Sequence, residues 1–348
     1  MGIILNDSHC RKNLFPFTET RHTADIRIGI LTIKEKWELL LAQNVSTISV
    51  EEDTTTDKYL TLPANVIPTR ENYQAIIEAV KNGVMVQASD KIKIITYPWQ
   101  IAQCNDEAIR ADFTLITKNK ISAKISPTNR CINEDHIFIE EGAIVEFSII
   151  NAAGGPVYIG KDTHVMEGNM IRGPFALCEG SVLKMGTKIY SGTTIGPWCI
   201  VGGEIKNTVM FGYSNKAHDG YLGDSVIGEW CNLGAGTSNS NIKNSAGDVK
   251  FILNDLEINA GNKVGLMMGD YSRAAINTSF NTGSVVGVCC NIFGRDFPLK
   301  NTSNFTWGEE RYLFEKALRD ISKWKKLKNK TMTEDEIQIL NQLYLTNQ

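Results

Sequence analysis

Ile159-Gly160-Lys161-Asp162-Thr163-His164-Val165 opens, and Ile195-Gly196-Pro197-Trp198-Cys199-Ile200-Val201 closes, the stretch whose spacing decides the fold. Ile159, Val165, Ile171, Leu177, Leu183, Ile189, Ile195 and Val201 follow one another every six residues, and each is Ile, Leu or Val. Six matches neither the 3.6-residue turn of a helix nor the two-residue alternation of a strand. It matches a solenoid in which each hexad supplies one short strand and one corner, the aliphatic side chain turned inward. Glycines such as Gly168, Gly180 and Gly186 recur between them, where a tight corner favours a residue that accepts positive φ.

Working outward, the frame slips after Val201. Val209, Ile227 and Leu233 share a new register whose intermediate slots fall on Asn215 and Tyr221. A narrow lumen does not accept such groups unpaired, so a distorted coil is expected there. A third register, Ile252, Ile258, Val264, Ile276, Thr282 and Val288 with Asp270 in the gap, carries the coils to about Phe293. Upstream, Ile137, Ile139, Ile144, Val145, Ile149 and Ile150 read as less regular first coils, covering the open end of the stack.

Residues 1–130 read as a mixed α/β unit. Ile3 to Leu5 is a strand, Thr69 caps a helix running to Asn82, Lys91 to Thr96 alternates as a strand, Pro98 opens a further helix, and Phe113 to Thr117 reads as another strand. The solenoid takes 131–294. Residues 295–348 form a helical extension: Trp307-Gly308 docks, Tyr312 to Lys328 is a helix with a solvated basic end, and Thr333-Glu334-Asp335-Glu336 is a capping box opening a last helix.

Composition bounds the function. A net charge of −3 with 22% charged residues offers no basic surface for nucleic acid. No run of eighteen apolar residues suggests a membrane span, and the N-terminus reads as the first strand of a cytoplasmic protein. The eight cysteines form no C-x-x-C and read as small buried fillers, so no metal site is expected from them.

The hexads resemble those of hexapeptide-repeat transferases, which implies a left-handed parallel β-helix; the hand comes from the resemblance alone. Lys216-Ala217-His218-Asp219-Gly220-Tyr221-Leu222-Gly223-Asp224, the run Ile227 to Thr237, and Glu204-Ile205-Lys206 make the resemblance specific. They are similar to the acetyltransferase half of the bifunctional N-acetylglucosamine-1-phosphate uridylyltransferase/glucosamine-1-phosphate acetyltransferase family and its archaeal relatives. Shared are H-x-x-Y-x-G-D, I-G-x-x-x-N-x-G-A-G-T and E-x-K. The resemblance implies that His218 is a general base for the sugar amine, a task suited to a side chain whose unperturbed pKa lies near neutrality. It implies Lys206 and Tyr221 at the sugar phosphate, Asn232 at the sugar, Asn241 near the acetyl group and Glu204 on the amine side. Two residues are missing between Val201 and Glu204, so the family's phosphate-binding arginine falls near Tyr190, with Lys188 as its stand-in. Acetyl-CoA as donor and a homotrimer with sites between adjacent solenoids are likewise implied. Lys263-Val264-Gly265 through Gly269-Asp270, with Gly283 and Gly287, resembles the later coils that line the family's acyl-CoA groove.

Leu14-Phe15-Pro16-Phe17-Thr18-Glu19-Thr20-Arg21 is similar to the end of the sugar-1-phosphate nucleotidylyltransferase signature, G-x-G-T-R-L-x-P-x-T. Here the loop holds His9, Cys10, Arg11, Lys12 and Asn13; the glycines are absent and Asn13 replaces the family's arginine. The resemblance implies a diverged or truncated unit in which Arg11 and Arg21 are the candidates for nucleotide phosphates, with Mg²⁺ needed only if that unit is active. Three readings follow: an N-acetyltransferase for an amino-sugar 1-phosphate; a nucleotidylyltransferase joining a nucleoside triphosphate to a sugar 1-phosphate, with the solenoid as oligomerisation module; and a non-catalytic scaffold that binds a sugar nucleotide.

Overall fold

The computed structural model describes residues 2–50, 58–253, 256–294 and 296–346. From Arg130 onward the chain winds as a parallel β-solenoid with three sheets of nine, six and ten strands. Ile159, Val165, Ile171, Leu177, Leu183, Ile189, Ile195 and Val201 all point into its lumen and are buried. Equivalent residues pair eighteen apart, as in Ile159↔Leu177↔Ile195, so three hexads close one coil.

Each sheet has its own covering. The nine-stranded sheet, from Ile137–Ile139 to Asn301–Thr302, is buried on both sides in most of its strands, and we call it the docked sheet. The ten-stranded helix-side sheet, from Ile144–Val145 to Glu310–Arg311, carries the C-terminal helices near one end. The six-stranded open sheet runs from Arg130–Ile132 to Tyr221–Gly223, and the outward residues of its early strands, among them Ile149, Met170 and Lys188, are exposed.

The α/β unit packs on the docked sheet. The strand Gly2–Asn6 lies between the parallel strands Ser46–Ile48 and Tyr59–Pro63. Helix α1 (Ile33–Leu41) begins at a capping box in which the Thr32 hydroxyl accepts from Glu35 N–H (3.1 Å) and the Glu35 carboxylate accepts from Thr32 N–H (2.6 Å). Helix α2 (Tyr73–Lys81) starts after Asn72 rather than at Thr69, and Lys93–Ile94 is the expected strand. Pro98 precedes the short α3 (Gln100–Gln103), and α4 (Asn105–Thr117) follows. The strand expected at Phe113 to Thr117 is therefore the end of α4. Ile109, Phe113 and Ile116 recur at helical spacing and pack on Tyr158, Ala176 and Cys178, and that periodicity prevails over the short local alternation. Phe17, Ile28 and Trp99 share one core with Val209, Phe211 and Val226 of the docked sheet.

Two expected registers are corrected. After Val201 the inward residues are Met210, Lys216 and Leu222, one position on from Val209, Asn215 and Tyr221; Ile227 and Leu233 stand as expected. Val209 is apolar because it faces the α/β unit. Further on, the lumen takes Met268, Ala274, Phe280, Val286 and Ile292, while Ile276 is exposed. Ile252 and Ile258 belong to an antiparallel hairpin, Lys250–Leu253 with Leu256–Asn259, that leaves the coil. The coils also outlast Phe293, since Asn301–Thr302 and Thr306–Trp307 still pair with the stack.

Helix α5 (Phe314–Lys326) and helix α6 (Glu334–Thr346), the latter opened by the expected Thr333/Glu336 capping box, cover Trp230, Tyr271 and Phe305. The basic end of α5 is not wholly solvated: Lys325 is buried against Glu336 and lies 4.9 Å over the Trp230 ring. Among the described residues no helix is long and apolar enough to cross a membrane.

The α/β unit is fastened to the solenoid by charge. Asp270 accepts hydrogen bonds from the Thr20 hydroxyl, the Arg21 guanidinium and Glu229 N–H. Glu229 stands 3.5 Å from Arg21, whose guanidinium lies 4.9 Å over Phe211. Burial opposes that cation, but Asp270 and Glu229 more than offset it. Asp270→Ala should leave Arg21 buried with only the more distant Glu229, lowering stability by about 3–5 kcal/mol in urea denaturation; a loss below about 1 kcal/mol, the range of an exposed pair, would show that this contact is solvated.

Candidate functional site

The expected site residues gather around one shortened corner. In the regular coils the inward residue of the open sheet comes six after that of the helix-side sheet, as in Leu183 and Ile189, but Ile205 comes only four after Val201. Gly202 and Gly203 make this tight turn. A Cβ at either would come within 2.6 Å of a backbone oxygen in the next coil, of Ala217 or Gly220 respectively, and Gly203 has φ +82. The next corner, between Lys216 and Leu222, has full length. It overhangs the shortened one and carries His218 exposed at its tip.

Below that corner the open sheet aligns functional side chains in register. Lys188, Glu204 and Tyr221 are neighbours on successive strands, and Lys206 pairs with Gly223 one column over. Lys188 and Tyr190 border a cleft of about 270 Å³ that also takes in Met170 and Arg172. The Tyr221 hydroxyl accepts from the Asn241 amide (3.0 Å), whose nitrogen also donates to Asp224; Asp224 accepts a second amide, from Asn207, at 2.7 Å. Burial, together with the Asp224 and Glu204 charges, pushes the Tyr221 phenol up to about 12. It therefore keeps its proton at neutral pH and can donate it to an anionic oxygen.

Asn232 is elsewhere. It lies on the helix-side sheet beside Asn215 and Arg273, so the His218 corner separates its face from that of Lys206. The His218 ring has no hydrogen-bond partner among the described residues.

Sequence reasoning missed Lys216. It occupies an inward position, paired with Val201, and is completely buried in the lumen. Its ammonium donates to the backbone carbonyls of His218 (2.6 Å) and Asp219 (3.1 Å). Lys216 thus holds the His218 corner from inside. The signal was present as Met210, Lys216 and Leu222 at spacing six, one residue away from the register expected.

In the α/β unit the loop after the first strand is closed on itself. Ser8 N–H donates to the Asn6 side chain, Cys10 and Arg11 N–H to Asp7 O, and Asn13 N–H to Cys10 O, so these donors are already engaged. Arg11 binds Asp7 (3.1 Å) and Arg21 O (2.9 Å). Arg21, the other nucleotide candidate, is held by Asp270. Burial works against ionisation of Asp7, but hydrogen bonds from Ser49 and Thr23 and the nearby Arg11 keep its carboxyl below the usual range.

Residues 3–86 match a family model described as sugar nucleotidyl transferase. The bifunctional protein GlmU of Methanocaldococcus jannaschii is 27% identical over 252 residues, covering 69% of this chain and 55% of that protein. Over about two thirds of its length the chain is thus similar to bifunctional GlmU proteins. A bifunctional sugar-1-phosphate nucleotidylyltransferase/acetyltransferase of Sulfurisphaera tokodaii is 34% identical over 91 residues, 26% of this chain and 23% of that one. The chain spans about half the length of the Methanocaldococcus jannaschii GlmU and of two from Methanococcus maripaludis that it also matches. Among solved structures, the UDP-N-acetylglucosamine acyltransferase of Francisella novicida matches 64% of this chain and 87% of its own, at 13% identity and a TM-score of 0.33.

Lys216 makes a pH prediction. Burial, only partly offset by the Asp219 charge, lowers its pKa from 10.5 to about 8. Between these values the unfolded chain holds a proton that the native protein has released, so stability rises with pH across that window. Lys216→Met should flatten the rise in urea midpoints measured across it. An unchanged profile would mean that the ammonium is hydrated.

Proposed function

We propose that the chain is a cytoplasmic, acetyl-CoA-dependent N-acetyltransferase acting on an amino-sugar 1-phosphate, with His218 as general base. The observation that carries this reading is the juxtaposition of Lys188, Lys206 and the protonated Tyr221 on one face with an exposed imidazole on the corner above them. The ammonium groups and the phenol would take the sugar phosphate as charge-assisted donors. Glu204, between Lys188 and Tyr221 in register, would face the amine. The amine nitrogen attacks the thioester carbonyl while the His218 imidazole removes its proton; the tetrahedral adduct collapses, the carbon–sulfur bond breaks, and the proton passes to the departing thiolate. Asn241, already bonded to Tyr221 and Asp224, would act mainly by fixing that phenol, with its carbonyl oxygen left for the acetyl side.

A homotrimer fits this reading because Lys206 and Asn232 look out from opposite sides of the His218 corner. A hexose touching both residue types would lie between two copies, meeting Lys206 of one and Asn232 of the other.

The family-model match over residues 3–86 favours a second reading, nucleotidyl transfer in the α/β unit. Against it stand the internally bonded loop and the engaged Arg11 and Arg21. Asp7, the carboxylate at the end of the first strand, is occupied by Arg11, Thr23 and Ser49, so it does not fit a Mg²⁺ ligand.

Incubating the protein with acetyl-CoA and glucosamine 1-phosphate should release free thiol, and His218→Ala should slow the release by about 10²–10⁴-fold. Equal release from both proteins would remove His218 as the base. Consumption of a nucleoside triphosphate without thiol release would replace acetyl transfer by the second reading.

A further inference from the structure

At the corner joining the docked and helix-side sheets, Gly180, Trp198, Tyr213 and Trp230 stand on successive coils with φ +65, +59, +54 and +59. Each donates its N–H to the coil before it, to the carbonyls of Lys161, Glu179, Pro197 and Gly212 in turn, so they are equivalent rungs of one ladder. Left-handed backbone favours glycine, as at Gly180, and strains a bulky side chain. Trp230 offsets that strain by packing under α5 and α6. Trp198 does not, being 42% exposed. Folding alone gives no reason for an indole there.

The rings and the cations around them supply one. Trp198 lies against Gly180 so closely that a Cβ there would come within 2.6 Å of the indole, whereas Tyr213 stacks on Trp230 with centroids 4.4 Å apart and planes 5° from parallel. The two neighbouring rungs thus fold toward opposite ends of the ladder, and both line a cleft of about 610 Å³ that Trp324 also lines. Lys328 and Lys330 complete it, and none of the residues lining it is acidic. The Lys328 ammonium is fixed in place by the Trp198 carbonyl (2.5 Å) and the Asn215 amide oxygen (3.2 Å); Lys330 is exposed at the rim. Flat apolar faces beside convergent cations match a planar heteroaromatic ring that bears phosphate.

We propose that this cleft is a nucleotide site, in which Trp198 and Tyr213 hold the base and Lys328 and Lys330 the phosphate. Acetyl transfer at His218 is not required for it. The ligand chemistry is common to a free nucleoside diphosphate and to the nucleotide end of a coenzyme A thioester.

The test is titration of the full chain with ADP, followed by tryptophan fluorescence and calorimetry, with adenosine and pyrophosphate as the separate halves. ADP should quench saturably, and each half should bind at least about tenfold more weakly than ADP. Trp198→Gly should weaken ADP by about tenfold or more without lowering the thermal midpoint, because glycine suits that backbone. Lys330→Ala, at an exposed site, should weaken ADP and leave adenosine unchanged. Displacement of ADP by coenzyme A would identify the acyl donor as the source, and its failure to displace would identify a free nucleotide. Absence of ADP binding at millimolar concentration, adenosine binding as tightly as ADP, or unchanged ADP affinity in Trp198→Gly would each overturn the proposal.

Discussion

The lumen of a triangular coil is narrow and filled by inward side chains from all three sheets, and that steric limit governs the rest of the molecule. Strands of successive coils must stay about 4.8 Å apart to keep their hydrogen bonds. A coil that loses residues can therefore lose them only at its corners. Ile195 pairs with Met210 fifteen residues on, where earlier coils use eighteen, and the shortening falls on the Gly202-Gly203 corner and the one after it. The His218 corner above keeps its full length and projects. The lumen residue that supports it is Lys216, whose long side chain reaches two carbonyls at the tip where an aliphatic one would leave them unpaired.

The coverings of the three faces restrict where chemistry can occur. The docked sheet is closed by the α/β unit, through Phe17, Phe211 and Trp99. Near one end the helix-side sheet is closed by α5 and α6. That leaves the open sheet with Lys188, Glu204, Lys206 and Tyr221, and the partly covered corner with Trp198 and Tyr213. Both remaining surfaces combine cations with hydroxyl or aromatic groups, the chemistry that suits phosphorylated ligands.

The regular hexads from Ile159 to Val201 were fully legible because one periodic signal had a single cause. Beyond them, apolar residues have several causes. Val209 faces the α/β unit, Val264 and Ile258 pack in the same core, and Val288 lies under the C-terminal helices, so none of them marks the lumen. Conversely the lumen holds a lysine at position 216 and an alanine at 274, which a search for aliphatics passes over. Within the candidate site, the motif's Lys206 and Tyr221 stand on paired strands of one sheet, because neighbours in a solenoid share a face when their strands pair. It also grouped Asn232 with them, and only the topology shows that a corner lies between.

The segment Thr18 to Arg21 bears on what the α/β unit can do. Here Thr20 and Arg21 bind Asp270, Glu19 binds Asn304 at 2.8 Å, and all three contacts reach across to the solenoid. Freeing Arg21 would leave Asp270 and the guanidinium without their buried partners, a cost of about 3–5 kcal/mol before any phosphate is bound. A nucleotide could recover this only if its phosphate replaced the carboxylate at the same guanidinium. The same contacts hold Phe17 on Phe211, whose strand Val209–Gly212 runs directly into the corner that carries Tyr213. The α/β unit, whose segment Thr18 to Arg21 is bonded to the solenoid, therefore acts first as the cover of one face.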